Sequence, residues 1–363
     1  MKVAVTGAEG LLGWHLRCAL HAQGIDVVPV VRRDFASSEV LAGALESPDV
    51  VVHAAGANRG VDEEVAATNV GLAERLAAAV GASPSIQLVI YLNSTQHVRP
   101  TSYGRSKRAA ADILGGVARS GRGFLDVILP GVFGEHGKPY YNSVVATFCH
   151  QLAIGEDLTI NDDAELELIH TQDVADGIVD AAKERRSGTV RPTGQPTTVR
   201  GLADKLTEMH ASYDRGVVPP TADSFDRALF NTLRSYRYPG KYPTKLDPKV
   251  DQRGRLVELV KADTGGQMFI STTEPGVTRG NHYHRRKVER FVVVDGTATI
   301  SLRKLFSDDV VTFEVNGQDP VAIDMPTMHT HNITNIGDTQ LITLFWADEI
   351  FDPERPDTFA ESV

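Results

Sequence analysis

Cysteine is nearly absent from this chain. There are 2 in 363 residues, Cys18 and Cys149. They lie far apart and in no C-x-x-C pattern. That excludes a disulfide framework and leads us to expect a reducing, cytoplasmic setting. Long apolar runs are absent as well. No stretch approaches the ~18 residues that a membrane helix needs. The opening residues 2–5 read as a strand rather than as a charged-then-apolar leader. Basic charge is in deficit, with 37 Lys and Arg against 47 Asp and Glu, a net charge of −10. Such a chain is a poor general partner for nucleic acid or an anionic membrane. Any phosphate-bearing ligand must be held by local cations or by backbone N–H groups. No internal repeat is visible. Glycine and proline stand at ordinary counts, 32 and 18, which rules out a collagenous or low-complexity chain. What is present is 42% apolar residues, enough for packed cores. At ~150 residues per domain the length predicts roughly two domains.

The first ~185 residues alternate strands and helices. Residues 3–6, 25–31, 49–53, 87–92 and 125–129 read as strands. Residues 11–22, 65–80 and 107–118 read as helices. The strands are almost continuously apolar, as strands of a parallel sheet buried on both faces must be. The pattern predicts a doubly wound α/β fold. The grammar changes near Tyr236. Residues 238–243 are rich in turn formers and read as a linker. After Asp247 only short strands follow, at 255–261, 267–272, 290–294, 298–303, 310–314, 321–324 and 340–347. That spacing predicts an all-β barrel or sandwich. We therefore expect an α/β domain over 1–245 and an all-β domain over 246–363.

Thr6-Gly7-Ala8-Glu9-Gly10-Leu11-Leu12-Gly13 joins the first strand to the first helix. The spacing is G-x2-G-x2-G. Gly7 permits the tight turn, Gly10 lets backbone approach a pyrophosphate, and Gly13 lets the helix lie close to the strand. The phosphate then meets a helix N-terminus. A dinucleotide site over Gly7, Glu9, Gly10, Leu11, Leu12 and Gly13 follows. At the end of the second strand an acidic residue would accept the ribose 2′-hydroxyl of NAD. Arg32 and Arg33 stand there instead, with Asp34 after them. Cations at that place favour the 2′-phosphate of NADPH.

Tyr103-Gly104-Arg105-Ser106-Lys107 is a Y-x3-K at a helix start. Four residues apart, the two side chains share one helical face. A nearby ammonium is expected to lower the phenol's pKa. The phenol can then donate a proton to a carbonyl that accepts hydride. A hydroxyl beside it would hold the substrate oxygen. Ser94 and Thr95, at the end of the preceding strand, are alternatives for that part.

With these pieces the first ~235 residues resemble the extended short-chain dehydrogenase/reductase family, which includes sugar-nucleotide epimerases and reductases. Further pieces of the likeness are His53-Ala54-Ala55-Gly56, Asn69, Pro130-Gly131-Val132-Phe133-Gly134 and His170-Thr171-Gln172-Asp173. The resemblance implies Tyr103 as the acid, Lys107 as its partner, and Ser94 or Thr95 as the oxygen-holding hydroxyl. It adds His53, Ala54, Ala55, Tyr103, Lys107 and Pro130 to the cofactor site. It also implies that Arg59, Lys138, Tyr141 and Asn142 face a UDP-sugar.

The all-β part carries G-x5-H-x-H-x4-E-x6-G from Gly276 to Gly296, then P-x4-H-x3-N from Pro326 to Asn335. His282 and His284 share one strand face. Glu289 returns on the next strand, and His331 arrives from a distant one. Three imidazoles and a carboxylate suit Zn, with Fe, Mn or Ni as alternatives. This resembles the cupins, whose fold is a jelly-roll barrel. Met328 departs from the pattern, since cupins usually have Gly there, so a different turn is expected. His329 is expected to be a non-ligand. Asp251-Gln252-Arg253-Gly254-Arg255 with Glu258 resembles the opening of cupin-type sugar-nucleotide epimerases.

A short-chain reductase followed by a cupin resembles the CapF family of capsular polysaccharide synthesis enzymes. Gly56-Ala57-Asn58-Arg59, residues 141–149 and Phe351-Asp352-Pro353 with Pro356-Asp357-Thr358 carry the likeness. It implies a zinc-containing homodimer with two activities. The cupin half would epimerise C3 of a UDP-2-acetamido-2,6-dideoxy-hexos-4-ulose. The reductase half would reduce the C4 ketone with NADPH to an L-talose-type product. A single-activity reductase, with the cupin as a dimerisation or binding module, stays open. So does the cupin base, with Tyr283, His329 and Glu258 as candidates.

Overall fold

The fold was established from a computed structural model, which describes residues 1–252, 254–262 and 265–363. The chain divides into two compact units, residues 1–147 with 161–199, and residues 148–160 with 200–363.

The first unit contains β1 (Lys2–Thr6), α1 (Leu11–Ala22), β2 (Asp26–Val30), α2 (Ser38–Ala44), β3 (Val50–His53), α3 (Asp62–Ala82), β4 (Leu88–Ser94), α4 (Ser102–Gly115) and β5 (Gly123–Leu129). Then follow β6 (Gly131–Phe133), α5 (Val144–Ile154), β7 (Glu165–His170), α6 (Thr171–Lys183), β8 (Gly188–Val190) and β9 (Gln195–Thr198). The unit boundary falls within α5. The main sheet has the order β2-β1-β3-β4-β5-β8, and every pairing in it is parallel. Parallel neighbours need crossover helices on both faces, so both faces must be apolar. Val3, Val5, Val50, Val52, Ile90, Leu125 and Val127 fill one side. Ala4, Val51, Val89 and Tyr91 fill the other, with Leu76 of α3 and Leu114 of α4. The doubly wound reading is therefore the observed one. Ligands of such sheets bind at the carboxyl ends of the strands, where Gly7, His53, Ser94 and Pro130 all lie.

The second unit contains α7 (Val199–Asp214), α8 (Ser224–Arg237) and two five-stranded sheets. One sheet runs Thr244–Lys245, Val321–Met325, Glu289–Asp295, Leu341–Ala347, Gln267–Thr273. The other runs Val310–Asn316, Thr297–Lys304, His329–Asn335, Thr278–Tyr283, Phe359–Ala360. All these pairings are antiparallel. Phe291, Val293, Ile300, Leu302, Ile323 and Ile333 form the core between them. The strand reading from apolar runs matches most of this barrel. Thr278–Tyr283 and His329–Asn335 are absent from the apolar runs and are reached only through the histidine motif. The strand expected at 255–261 is interrupted, with Gly254–Leu256 and Lys261–Ala262 on either side of an irregular 257–260.

Residues 200–243 belong with the barrel. Tyr238 and Tyr242, read as linker, pack against its core. Asp324 accepts bonds from Arg290 Nε at 2.6 Å and Arg290 Nη2 at 2.9 Å, and from the Tyr213 hydroxyl of α7. Arg234 of α8 donates to the Met325 carbonyl at 3.2 Å. Arg234, Arg290 and Asp324 are 1%, 1% and 2% exposed. Burial alone would raise the Asp324 carboxyl, but the Arg290 guanidinium beside it holds it low. An apolar barrel wall with a buried aspartate thus depends on groups supplied by two helices.

Candidate active site and metal centre

In the first unit β1 delivers the chain into a tight turn. Gly7 has φ +67°, and a Cβ there would sit 2.8 Å from Ala55. A Cβ on Gly13 would sit 2.1 Å from the Gly7 carbonyl oxygen. Only glycine lets the start of α1 press onto β1. The first turn of α1 has no acidic residue, and its N-cap, Gly10, makes no side-chain cap bond. Its N–H groups are thus suited to a pyrophosphate, and the residues fit a dinucleotide cofactor. Ala54 and Ala55 border the turn, Glu9 is exposed, and Pro130 is buried at the end of β5. Arg32 and Arg33 are exposed. The carboxylate of Asp34 turns back to accept the Val31 N–H at 2.7 Å. The acidic residue that competes with the arginines is thereby occupied locally. His53 is 1% exposed, and its Nδ1 lies 2.7 Å from the Thr6 hydroxyl. Burial pushes its pKa down to about 3. This neutral ring ties β3 to β1 and so shapes the Ala54–Ala55 border.

The proton-transfer group stands on α4. Thr101 caps this helix, accepting from the Gly104 N–H at 3.0 Å. A Cβ on Gly104 would meet the Arg99 and Gln96 carbonyl oxygens at 2.4 and 2.5 Å. Gly104 therefore permits the approach that brings Tyr103 beside Ser94. Burial raises the Tyr103 phenol, and a hydrogen bond with the Ser94 side chain opposes that rise. The expected lowering is not found. The phenol stays protonated at neutral pH, which suits a donor. Lys107 is 7% exposed, and its Nζ donates to the Leu92 carbonyl at 2.6 Å. Burial brings its pKa down to about 7, while Asp126 pulls the other way. The structure pairs Ser94, rather than Thr95, with Tyr103. Thr95 begins the short helical turn Thr95–Val98.

Two supports of this site were not singled out in the sequence. Asn93 donates to Asp126 Oδ2 at 3.2 Å and accepts the Ser94 N–H at 2.8 Å, so it braces the serine. The signal available was a lone acidic residue in the apolar strand 125–129. Glu135 is fully buried, with Oε2 3.0 Å from His170 Nε2. It joins the loop after β6 to the end of β7. Asn69 accepts the Ala57 N–H at 2.7 Å and donates to Ser106 at 3.1 Å, fixing the loop after β3 against α4. The substrate candidates also converge. Arg59 donates to the Tyr140 and Tyr141 carbonyls. Lys138 Nζ lies 5.4 Å from the Tyr141 ring centre, and Asn142 is the next residue in the chain, exposed.

In the second unit the donor atoms of His282, His284, Glu289 and His331 lie within 4.8 Å of one another. His282 and His331 are opposed on neighbouring strands. His284 Nε2 is 3.0 Å from Glu289 Oε2. His331 is fully buried, and its Nε2 has no hydrogen-bond partner among the described residues, with Glu289 Oε2 3.5 Å away. Each of two rings gives its Nδ1–H to a carbonyl, His284 to Asp357 at 2.6 Å and His331 to His329 at 3.2 Å. Both Nε2 atoms are left facing the cluster, the arrangement metal-ligating histidines use. The residues fit a divalent ion of the zinc type. Met328 takes φ +57° and is fully buried. It thus adopts the glycine-like conformation, and the turn before His331 is kept at the cost of strain. His329 Nδ1 faces the Thr327 carbonyl at 3.0 Å, and its ring lies 5.0 Å from Tyr238. Tyr283 stacks on Phe359 at 5.1 Å. Glu258 pairs with Lys261 at 2.9 Å. None of these three base candidates is among the cluster's donors. Of the motif 251–255, Arg253 lies outside the described residues.

Residues 3–192 match the NAD dependent epimerase/dehydratase family, and residues 249–359 match the polysaccharide biosynthesis C-terminal domain. The UDP-2-acetamido-2,6-beta-L-arabino-hexul-4-ose reductase of Pseudomonas aeruginosa is 34% identical over 371 aligned residues, covering 100% of this chain and 99% of that protein. The capsular polysaccharide assembling protein CapF of Staphylococcus aureus superposes with a TM-score of 0.65 at 31% identity, covering 100% of both chains. The Thermus thermophilus UDP-glucose 4-epimerase, solved with NAD, shares the fold at TM-score 0.56 and 17% identity, covering 66% of this chain and 100% of that one.

Proposed function

The chain belongs to the NAD dependent epimerase/dehydratase family and, over its whole length, to the family of CapF, and from that premise we propose that it reduces the ketone of a UDP-4-keto sugar. The observation that carries this reading is the half-buried Tyr103 phenol facing the Ser94 side chain, on a helix that also carries buried Lys107. The substrate is a UDP-2-acetamido-2,6-dideoxy-hexos-4-ulose, and the product has the L-talose configuration. The cupin part epimerises C3, and the reductase part then reduces C4. By chemistry the modules are a reductase over 1–245 and a cupin over 246–363, although in packing α7 and α8 go with the barrel.

In the reduction, the Ser94 hydroxyl holds the C4 oxygen while the Tyr103 phenol gives it a proton. Lys107, when protonated, places a positive charge beneath the site and stabilises negative charge there. The turn from Gly7 to Gly13 binds the pyrophosphate, with Ala54, Ala55 and Pro130 as walls. Arg32 and Arg33 take the 2′-phosphate, since Asp34 is engaged with Val31. NADPH, when bound, supplies the hydride. Arg59, Lys138, Tyr141 and Asn142 hold the UDP-sugar. In the cupin part, His282, His284, Glu289 and His331 would hold zinc, which supplies Lewis acidity to a bound ketone. The C4 ketone acidifies the C3–H, so a base can remove and return that proton.

We further propose a homodimer. Strand Gln267–Thr273 ends its sheet, with Met268 and Ile270 exposed by 64% and 66%. An apolar open edge of this kind is matched by a second copy of itself. No helix among the described residues is long and apolar enough to cross a membrane. Two buried free thiols suit the cytoplasm.

The test is incubation of the zinc-loaded protein with the 4-keto substrate in deuterated water, with and without NADPH, followed by NMR. Deuterium at C3 without NADPH, and a C4 alcohol with it, is the expected result. Reduction without exchange would leave a single-activity reductase.

A further inference from the structure

The donor cluster of the second unit is buttressed by a residue far along the chain. Asp357 is 4% exposed and has φ +45°. Its carboxylate closes over the turn between His284 and Glu289. Oδ1 accepts the Arg285 N–H at 3.1 Å, and Oδ2 accepts the N–H groups of Arg286 and Lys287 at 3.0 and 2.9 Å. Its own carbonyl accepts Nδ1 of His284 at 2.6 Å. One residue therefore holds both the backbone that follows a donor and the ring of that donor.

We propose that Asp357 is a positioning residue for the metal centre, a latch that fixes the His284 ring with Nε2 turned toward the ion. The inference rests on the metal reading above.

A carbonyl oxygen only accepts, so the bond at 2.6 Å places a proton on Nδ1. Nε2, 3.0 Å from Glu289 Oε2, is the nitrogen that coordinates once an ion replaces the proton between it and that carboxylate. The left-handed backbone of Asp357 is what turns its carbonyl and its carboxylate toward the same hairpin. Aspartate tolerates that conformation better than most residues. Neighbouring residues hold the latch in place. The Pro356 carbonyl accepts from Lys287 Nζ at 3.1 Å, and the Arg355 carbonyl from Arg286 Nη2 at 3.1 Å. Phe359 and Ala360 pair as a strand with Tyr283 and His282. The segment thus reads the positions of His282 and His284 together. A carboxylate used only to close a turn would not also require its carbonyl to face an imidazole.

The test compares the full chain with Asp357→Ala and Asp357→Asn. Each protein is stripped of metal, and its zinc affinity is measured against a chromophoric chelator. The visible spectrum of the cobalt(II) form reports ligand geometry. Loss of such a supporting contact typically weakens metal binding by about 10–100-fold. Asp357→Ala keeps the backbone carbonyl but removes the carboxylate that anchors it to residues 285–287 and disfavours the left-handed backbone, so the His284 contact is released. We expect a loss in that range for Asp357→Ala, a smaller one for Asp357→Asn, and an altered cobalt spectrum in both. Wild-type affinity with a wild-type spectrum would overturn the latch. A lower melting temperature with a wild-type cobalt spectrum would also overturn it, because Asp357 would then only stabilise the fold. If Asp357→Ala does not fold, the Asp357→Asn spectrum decides in the same way. Absence of zinc and cobalt binding by the wild type would be a different result, and would sink the metal reading itself.

Discussion

The two candidate sites are built by opposite strategies. Ser94, Tyr103 and Lys107 come from consecutive elements, β4 and α4. Each stands where a parallel strand or its following helix must place it, and the apolar sheet beneath asks little of it. His282, His284, Glu289 and His331 come from strands joined only by the closing of a barrel. Their unit is held by buried charge as well as by apolar contacts, with Arg290, Arg234 and Tyr213 gathered on and beside Asp324. A site made of neighbours tolerates change elsewhere in its unit. A site made of distant strands is hostage to whatever aligns them.

The sharpest way to break this comparison is to disable the sites one at a time. Tyr103→Phe should cost ketone reduction about 10²–10⁴-fold. It should leave C3 exchange intact, as read by NADPH oxidation beside deuterium uptake. His331→Ala should do the reverse, abolishing exchange while sparing reduction of a sugar already epimerised. Loss of both activities in either variant would mean that the sites are not separable. The next effect concerns what aligns the barrel. Asp324→Ala leaves Arg290 buried without its partner, a change that costs about 3–5 kcal/mol. Denaturant unfolding should show that loss in the second unit only, with the reductase transition unmoved. An equal shift in both would put the charge cluster outside the barrel's own stability. The smallest effect is a matter of pH. Lys107, brought down to about 7, is charged below that pH and neutral above it. The kcat/KM for reduction should therefore fall by about tenfold per unit on its alkaline limb, while metal binding follows no such limb. A flat profile to pH 9 would show that the lysine's charge does not contribute.

Legibility followed the same divide. The parallel sheet, the Gly7–Gly13 turn and the Tyr103–Lys107 spacing could be read because their signals are short and local. The four donors of the barrel could be read for the same reason, since their spacing is a motif. Asn93 and Glu135 could not, and Asp357 is legible only as part of the Pro356-Asp357-Thr358 likeness, not as a support of the donor cluster. Each acts through a bond to a residue 33 or more positions away, or through a backbone neighbour that itself makes such a bond. A single asparagine or glutamate in a sequence carries no sign of that. The stretch 238–243 differs from a plain linker for a related reason. Its prolines and glycine announce a turn, but nothing local says that Tyr238 and Tyr242 lie against a core.

The sequence by itself determined the two architectures and the chemical types at each site. Apolar periodicity and glycine placement act within a few residues, and they decide whether a strand is buried on both faces or on one. The tertiary structure alone decided that α7 and α8 belong with the barrel, that Asp34 is occupied by Val31, and that the Tyr103 phenol is pushed up rather than down. These are matters of burial and of long-range hydrogen bonds. Desolvation depends on everything packed around a group, and no window of sequence contains that.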